Sequence, residues 1–281
     1  MPRFNPIFTI ADAGTVRTSR IAENSAAEGG GGTYLSQAAN CTIANNYAKQ
    51  NGGGMAGGEA DNCTIWYNMA GSTGQDIYSG VKNHTCSPDV LHGADGNITN
   101  APQFASAAGG DYHLLSNSPC INAGDNNYVQ LNEDLDGNAR IFDYLVDIGA
   151  YEYQAFLDQD GDRLSDGFEL YYFGDETNAV PVDDPDGDGY DNLAEHIGHS
   201  SPLDSCSTFM VTDVGVDGSG RFVVYWDSVA GRVYDIYWKS NLFISAELLE
   251  YGISYPTNSY TDTFHSLESQ GFYEVKVKLA E

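Results

Sequence analysis

Apolar and polar positions in the first third of the chain recur at a fixed interval. Sliding the sequence against itself by 22 residues superposes Ile21, Ile43 and Ile65, then Ala26, Ala48 and Ala70, then Asn24, Asn46 and Asn68. Asn40-Cys41-Thr42 falls on Asn62-Cys63-Thr64, and Gly30-Gly31-Gly32 on Gly52-Gly53-Gly54. A repeat this short and strict is the mark of a solenoid. Each Cys-Thr-Ile segment reads as a short strand and each glycine run as a turn, because such runs break any helix. The pattern predicts a parallel β-helix with one coil per repeat.

Identical residues then stack on one another. The Asn24, Asn46 and Asn68 amides are expected to form a ladder, with successive rungs about 4.8 Å apart, the spacing of neighbouring strands. Cys41 and Cys63 are expected to stack as a buried apolar column, and Cys86 follows in nearly the same register. A disulfide between coils is the rival reading. Five cysteines, with Cys120 and Cys206, do not make a disulfide framework. The sequons at Asn40, Asn62, Asn83 and Asn97 read either as glycosylation sites or, for the two in the repeat, as structural positions.

After about Asn100 the repeat gives way to the strings DYHLLSNSPCINAGD, DLDGNARI and VDIGAYEY. Here residues 20–154 resemble bacterial right-handed parallel β-helix proteins of the pectate-lyase-like fold that carry a choice-of-anchor Q region. The resemblance implies a secreted or surface protein. Members of that family begin with a signal peptide and have many more coils, whereas Met1–Pro6 does not read as a signal peptide. The resemblance therefore implies a C-terminal piece whose partner is the missing N-terminal coils of a longer product. Residues 1–18 show neither an amphipathic helix nor a charged cap, so the first coil is expected to be open and the isolated chain poorly soluble.

Composition narrows the function classes. With 40 acidic and 12 basic residues the formal net charge is −28. This argues against a nucleic-acid partner, which calls for Lys and Arg, and against docking on an anionic membrane. No apolar run is long enough to span a bilayer. A polysaccharide lyase needs a basic proton acceptor, and residues 1–102 offer only Arg3, Arg17, Arg20, Lys49 and Lys82 as cations. A hydrolase needs clustered carboxylates, and the acids of this stretch do not repeat at the coil period.

Acids concentrate instead in residues 155–205, where fourteen Asp and Glu face Arg163 alone. Their spacing is that of the twelve-residue EF-hand loop, with ligands at positions 1, 3, 5, 7, 9 and 12. The first loop assigns Asp158, Asp160, Asp162, the Leu164 carbonyl, Asp166 and Glu169. The second assigns Asp184, Asp186, Asp188, the Tyr190 carbonyl, Asn192 and Glu195. Ca2+ is the expected cofactor. Arg163 stands where the motif has glycine, so the first site is expected to be strained. Apolar residues after each loop predict a short helix. The segment resembles bacterial thrombospondin type 3 repeats. His196 and His199 offer a zinc-like spacing, but the order His-Glu-x-x-His is absent.

Beyond Cys206, Arg221–Trp226, Arg232–Trp238 and the alternating Gly271–Leu279 read as strands of a small β-sandwich. GRVYDIYWKSNL and GFYEVKV resemble C-terminal modules of bacterial surface proteins. Trp226, Tyr237 and Trp238 read as core residues or as rings for a sugar, with at most one of the neighbours Tyr237 and Trp238 on the same face.

The expected architecture is all-β: a short right-handed parallel β-helix (1–102), its C-terminal part or cap (103–154), a calcium-loop connector with short helices (155–205) and a C-terminal β-sandwich (206–281). The expected function is a non-catalytic, secreted or cell-surface structural or adhesion-type protein. The alternatives are a polysaccharide-degrading β-helix enzyme fragment and a carbohydrate-binding module, with a polysaccharide or cell-surface glycan as partner.

Overall fold

The computed structural model describes residues 14–265 and 270–280. The chain divides into two compact units, Met1–Gln154 and Ala155–Glu281. Among the described residues it is mostly β, with a parallel solenoid of about three turns, two α-helices and antiparallel sheets at the C-terminus.

In the first unit each coil contributes three short strands. The first coil holds β1 (Thr15–Arg17), β2 (Arg20–Ala22) and β3 (Ser25–Ala26). The second holds β4 (Thr33–Ala39), β5 (Thr42–Ala44) and β6 (Tyr47–Ala48), and the third β7 (Met55–Asp61), β8 (Thr64–Trp66) and β9 (Met69–Ala70). A further strand, β10 (Val81–Asn83), continues the first sheet. All three sheets are parallel, and the register is the 22-residue repeat itself: Ile21 pairs with Ile43 and Ile43 with Ile65. These isoleucines, with Ala38, Ala60, Met55, Cys41 and Cys63, fill the coil interior. The expectation of an open first coil rests largely on residues 1–13, which lie outside the described residues.

Coil corners need left-handed backbone, and the repeat supplies it in columns. Gly30, Gly52 and Gly74 have φ of 68°, 64° and 64°, while Asn40 and Asn62 have 51° and 48°. Glycine and asparagine are the residues that enter this region at least cost. Gly53 has a second constraint, since a Cβ there would lie 2.3 Å from the Gln75 carbonyl oxygen of the next coil.

The asparagine ladder forms. Asn24 gives its backbone N–H and its side-chain amide to Oδ1 of Asn46, both at 2.9 Å. Asn46 does the same to Asn68, at 2.9 Å each. The amides of Asn46 and Asn68 also reach the carbonyls of Ile21 and Ile43. Cys41 and Cys63 are buried as expected, and all five cysteines are free thiols. Cys86, however, does not continue their column. The ladder pairs Cys86 with Thr64, and Thr85 takes the next place, its hydroxyl donating to the Ala60 carbonyl. The 22-residue hydrogen-bond register outweighs the side-chain likeness, so Cys86 joins Cys120, Leu114 and Ile148 in a second apolar cluster. Asn40 and Asn62 are 1% and 0% exposed, which corrects the glycosylation reading of their sequons.

Residues 103–154 lie along the solenoid. β11 (Phe104–Ser106) and β12 (Asp111–Leu114) form an antiparallel pair. The VDIGAYEY string docks on the threonine column: Thr64 donates to the Ile148 carbonyl, and Thr42 accepts from the Ala150 N–H. Asn62 binds the backbone of Asp125 through both its amide atoms. The buried Arg140 pairs with the buried Glu152 at 3.1 Å and donates to the Asp147 carbonyl.

The second unit opens with α1 (Asp166–Phe173) and α2 (Asn192–Gly198). Two three-stranded antiparallel sheets follow. One is β13 (Val211–Val216), β14 (Phe222–Trp226) and β17 (Ser259–Thr261). The other is β16 (Glu247–Ser254), β15 (Arg232–Lys239) and β18 (Phe272–Leu279). Trp226, Tyr234 and Ile236 form the core, with Phe209, Val275 and Val277 packed on it. Trp226 and Trp238 are 1% and 9% exposed, so both serve packing rather than a sugar platform. Trp238 stacks on His265 at a centroid distance of 3.7 Å, and Tyr237 lies under the Lys276 ammonium.

Candidate metal centre

Both acidic loops adopt the same backbone path. In the first, Asp158 accepts from the N–H groups of Gly161, Asp162 and Arg163, and Asp162 accepts from Leu164. In the second, Asp184 accepts from Gly187 and Gly189, and Asp188 accepts from Tyr190. Such aspartate-to-backbone turns are what short side-chain carboxylates impose on a local chain. They also converge the acids. One oxygen from each of Asp158, Asp160 and Asp162 lies within 4.8 Å of the others, and so do those of Asp184, Asp186 and Asp188.

The sixth position separates the loops. Gly189 has φ of 97° and Arg163, its counterpart, 85°. The sequence expectation of strain at Arg163 is thus a geometric fact, since a side chain in this region meets its own backbone.

The remaining side-chain positions come from the helices. Asp166 and Glu169 are the first and fourth residues of α1, and Asn192 and Glu195 hold the same places in α2. Residues three apart share a helix face. Helices this short are marginal alone, so their ends are capped. Ser165 and Asp191 accept N-terminal N–H groups, and Gly174 and His199 close the C-termini in the left-handed region. Leu164 and Phe168 are fully buried beneath α1. Tyr190 is exposed.

Two partners of the last ligand position carry no sequence signature. Glu169 accepts the Ala179 N–H at 2.9 Å through one oxygen, and Ser200 lies 3.4 Å from one oxygen of Glu195. Each contact orients one oxygen of a buried glutamate and leaves the other, Oε2, without a hydrogen bond. Oδ2 of Asp186, Oδ2 of Asp188 and Oδ1 of Asn192 are likewise buried and unpartnered. Asp166 differs, because its Oδ1 accepts the Gln159 N–H at 2.7 Å. A buried oxygen without a donor is costly. Hard oxygens orphaned together fit an oxygen-seeking cation.

The electrostatics agree. Burial first, then the charges of Asp162, Asp160 and Asp166, pushes the Glu169 carboxyl up to about 7. Burial and the charges of Asp186 and Asp188 raise that of Glu195 to about 7. A bound divalent ion would reverse both shifts by favouring the carboxylate.

No histidine joins either cluster. The His196 ring lies between Phe156 and Phe168, and burial together with the charge of Arg232 lowers its pKa to about 3. His199 is lowered to about 4 by the same causes. Arg232, also buried, donates to the His196 carbonyl at 2.7 Å and so ties α2 to β15.

In the solenoid the acids near the ladder have structural partners: the buried Asp76 accepts from Asn68, and the exposed Asp89 accepts from the N–H groups of Asp76 and Ile77. Among the described residues no helix is long and apolar enough to cross a membrane. No family model, no curated protein and no solved structure matches the chain.

Proposed function

We propose that Asp158–Glu169 and Asp184–Glu195 each bind one Ca2+, and that the chain is a non-catalytic, secreted or cell-surface structural protein whose connector is made rigid by calcium. The observation that carries the reading is the unpartnered Oε2 of the buried Glu169 and Glu195, each at position 12 of a loop whose first three aspartates already converge. At an effective dielectric near 20, each pair of carboxylates about 4 Å apart repels by roughly 4 kcal/mol. A small segment does not recover several such terms by burial, so the loops order when the ion is present. Extracellular calcium saturates even weak modules of this type, which supports a location outside the cell. The proposal includes kinship of the solenoid with pectate-lyase-like choice-of-anchor proteins and of the loops with thrombospondin type 3 repeats, supported by the repeat and the loop spacing.

Calcium titration calorimetry tests the reading, paired with limited proteolysis of residues 155–205 in calcium and in chelator. Two binding events and calcium-dependent protection are expected. Glu195→Gln should weaken the second site and leave the first. Absence of calcium heat together with equal cleavage in both buffers overturns the proposal.

A further inference from the structure

The string that docks on the threonine column is bracketed by two buried acids, Asp147 and Glu152. Between them, the Ile148 carbonyl accepts the Thr64 hydroxyl, Gly149 donates to the Asn62 carbonyl and Ala150 donates to the Thr42 hydroxyl, each at 3.0 Å. Two more buried acids join the cluster. Asp134 accepts the Glu152 N–H at 3.0 Å, and Asn122 gives its N–H to Asp147 and its amide to Asp143. The cation of the cluster is Arg140. Its Nη2 meets Glu152 at 3.1 Å, while its Nε and Nη1 are buried without an acceptor.

Four buried carboxylates thus share one guanidinium, engaged through a single nitrogen. An ionised carboxylate buried without a full counter-charge is costly and takes up a proton instead. Carboxylates that share a site raise one another further. Burial pushes Asp147 up to about 7, against N–H bonds from Asn122 and Tyr153 and the charge of Arg140. Burial and the charge of Asp147 hold Glu152 well above the usual carboxylate range, against Arg140. Other titratable groups adjoin the string. The Tyr151 ring packs on His113 with centroids 4.3 Å apart, and Arg20, Asp136 and Asp111 act on that tyrosine. From the solenoid, the Cys41 thiol feels the charge of Arg140, and the Cys120 sulfur lies 4.0 Å from the Thr64 hydroxyl.

We infer that residues 147–152 are a pH-sensitive latch, which grips the solenoid while this buried cluster keeps its protons and loosens as they leave. Opening withdraws Ile148 from the cluster it forms with Cys86, Leu114 and Cys120. Free carboxylates have lost their protons above about pH 4. The latch is therefore strongest at low pH, weakens as pH rises from about 4 through about 7, and weakens further as Glu152 ionises. It lies in the first unit and does not rest on the calcium reading.

Amide hydrogen exchange on the full chain, with each rate corrected for the base catalysis of a free amide, tests the latch. Protection of the Gly149 and Ala150 N–H groups should fall by about tenfold or more from about pH 5 to about pH 8. The Tyr47 N–H, which donates to the Asn24 carbonyl at 2.9 Å, should keep its protection. Glu152→Gln holds the neutral form at every pH and should flatten the fall. Magnetic-resonance titration of the Asp147 and Glu152 carboxyl carbons in the unmodified chain should find both above free carboxylates. Protection that does not vary with pH, or an equal loss at Tyr47, would overturn the inference. So would both carboxyls titrating in the free range, or a folded Glu152→Gln chain that keeps the full fall, which is the result expected if His113 drives it.

Discussion

Asn68 donates its backbone N–H and its side-chain amide to a single oxygen, Oδ1 of Asp76, both at 2.8 Å. The ladder of Asn24, Asn46 and Asn68 runs in one direction, each amide donating to the next, so its last rung needs an acceptor. Asp76 supplies it from the turn that follows the third coil. Burial pushes the Asp76 carboxyl from 3.8 up to about 6, against the pull of the two Asn68 bonds. Between about pH 4 and about pH 6 the folded chain therefore holds a proton that the unfolded chain has lost. This contribution to stability falls as pH rises through that window and is level above it. Asp76→Asn keeps an acceptor and removes the buried charge. Its stability relative to the parent, from urea denaturation, should rise from pH 4 to pH 6. Asp76→Ala orphans two donors and should cost about 1–3 kcal/mol for each.

The close approach at Gly53 gives a steric prediction. An added Cβ would lie 2.3 Å from the Gln75 oxygen and 2.4 Å from the Met69 nitrogen, both backbone atoms. Neither can swing aside as a side-chain end would. Gly53→Ala should destabilise the solenoid at the upper end of the roughly 1–3 kcal/mol range for overpacking, or beyond it. Gly218→Ala, with nothing within 4 Å, should stay within about 0.5 kcal/mol of the parent. Thermal unfolding of the two variants separates them, and equal transitions would refute the steric account.

Arg163 should limit the first metal loop. Holding a non-glycine residue in the left-handed region costs roughly 1–2 kcal/mol. If the loop orders only with its ion, that strain is borne by the bound state alone. Arg163→Gly should then tighten the first site by about tenfold and leave the second unchanged, as read by two-site calcium calorimetry. Unchanged affinity at the first site would mean that the strain is present before the ion arrives.

His113 bridges two carboxylates, with Nδ1 2.6 Å from Asp111 and Nε2 2.6 Å from Asp136. Partial burial works against its charge, but the bonds to Asp136 and Asp111 outweigh it and hold the imidazole above its usual pKa. The contact is fully present below the pKa of the unfolded residue and is lost as pH rises through the raised folded value. Titration by nuclear magnetic resonance should find His113 above free histidine, and Asp136→Asn should bring it down. A His113 that titrates at or below the free value would remove the bridge between β12 and the Asp134–Arg140 turn.

The repeat in the sequence by itself determined the solenoid, its pitch, the Asn24–Asn46–Asn68 ladder and the path of the two acidic loops. The physical reason is locality. In a parallel coil, equal spacing puts equal residues in hydrogen-bond register, and in an Asp-x-Asp-Gly loop each carboxylate binds N–H groups a few residues away. Only the tertiary structure decided which residue follows Cys63 in its column, because one hydrogen-bond register had to choose between Thr85 and Cys86. It also decided that Asn62 would hold the backbone of Asp125, 63 residues on, and that Thr42 would receive Ala150, 108 residues on. Their positions within the repeat hold no mark of those partners. The same holds at the metal loops, where the Ala179 N–H engages one oxygen of Glu169 and leaves the other unpartnered. The spacing names the glutamate, but only the packed chain shows that one of its oxygens is buried without a donor.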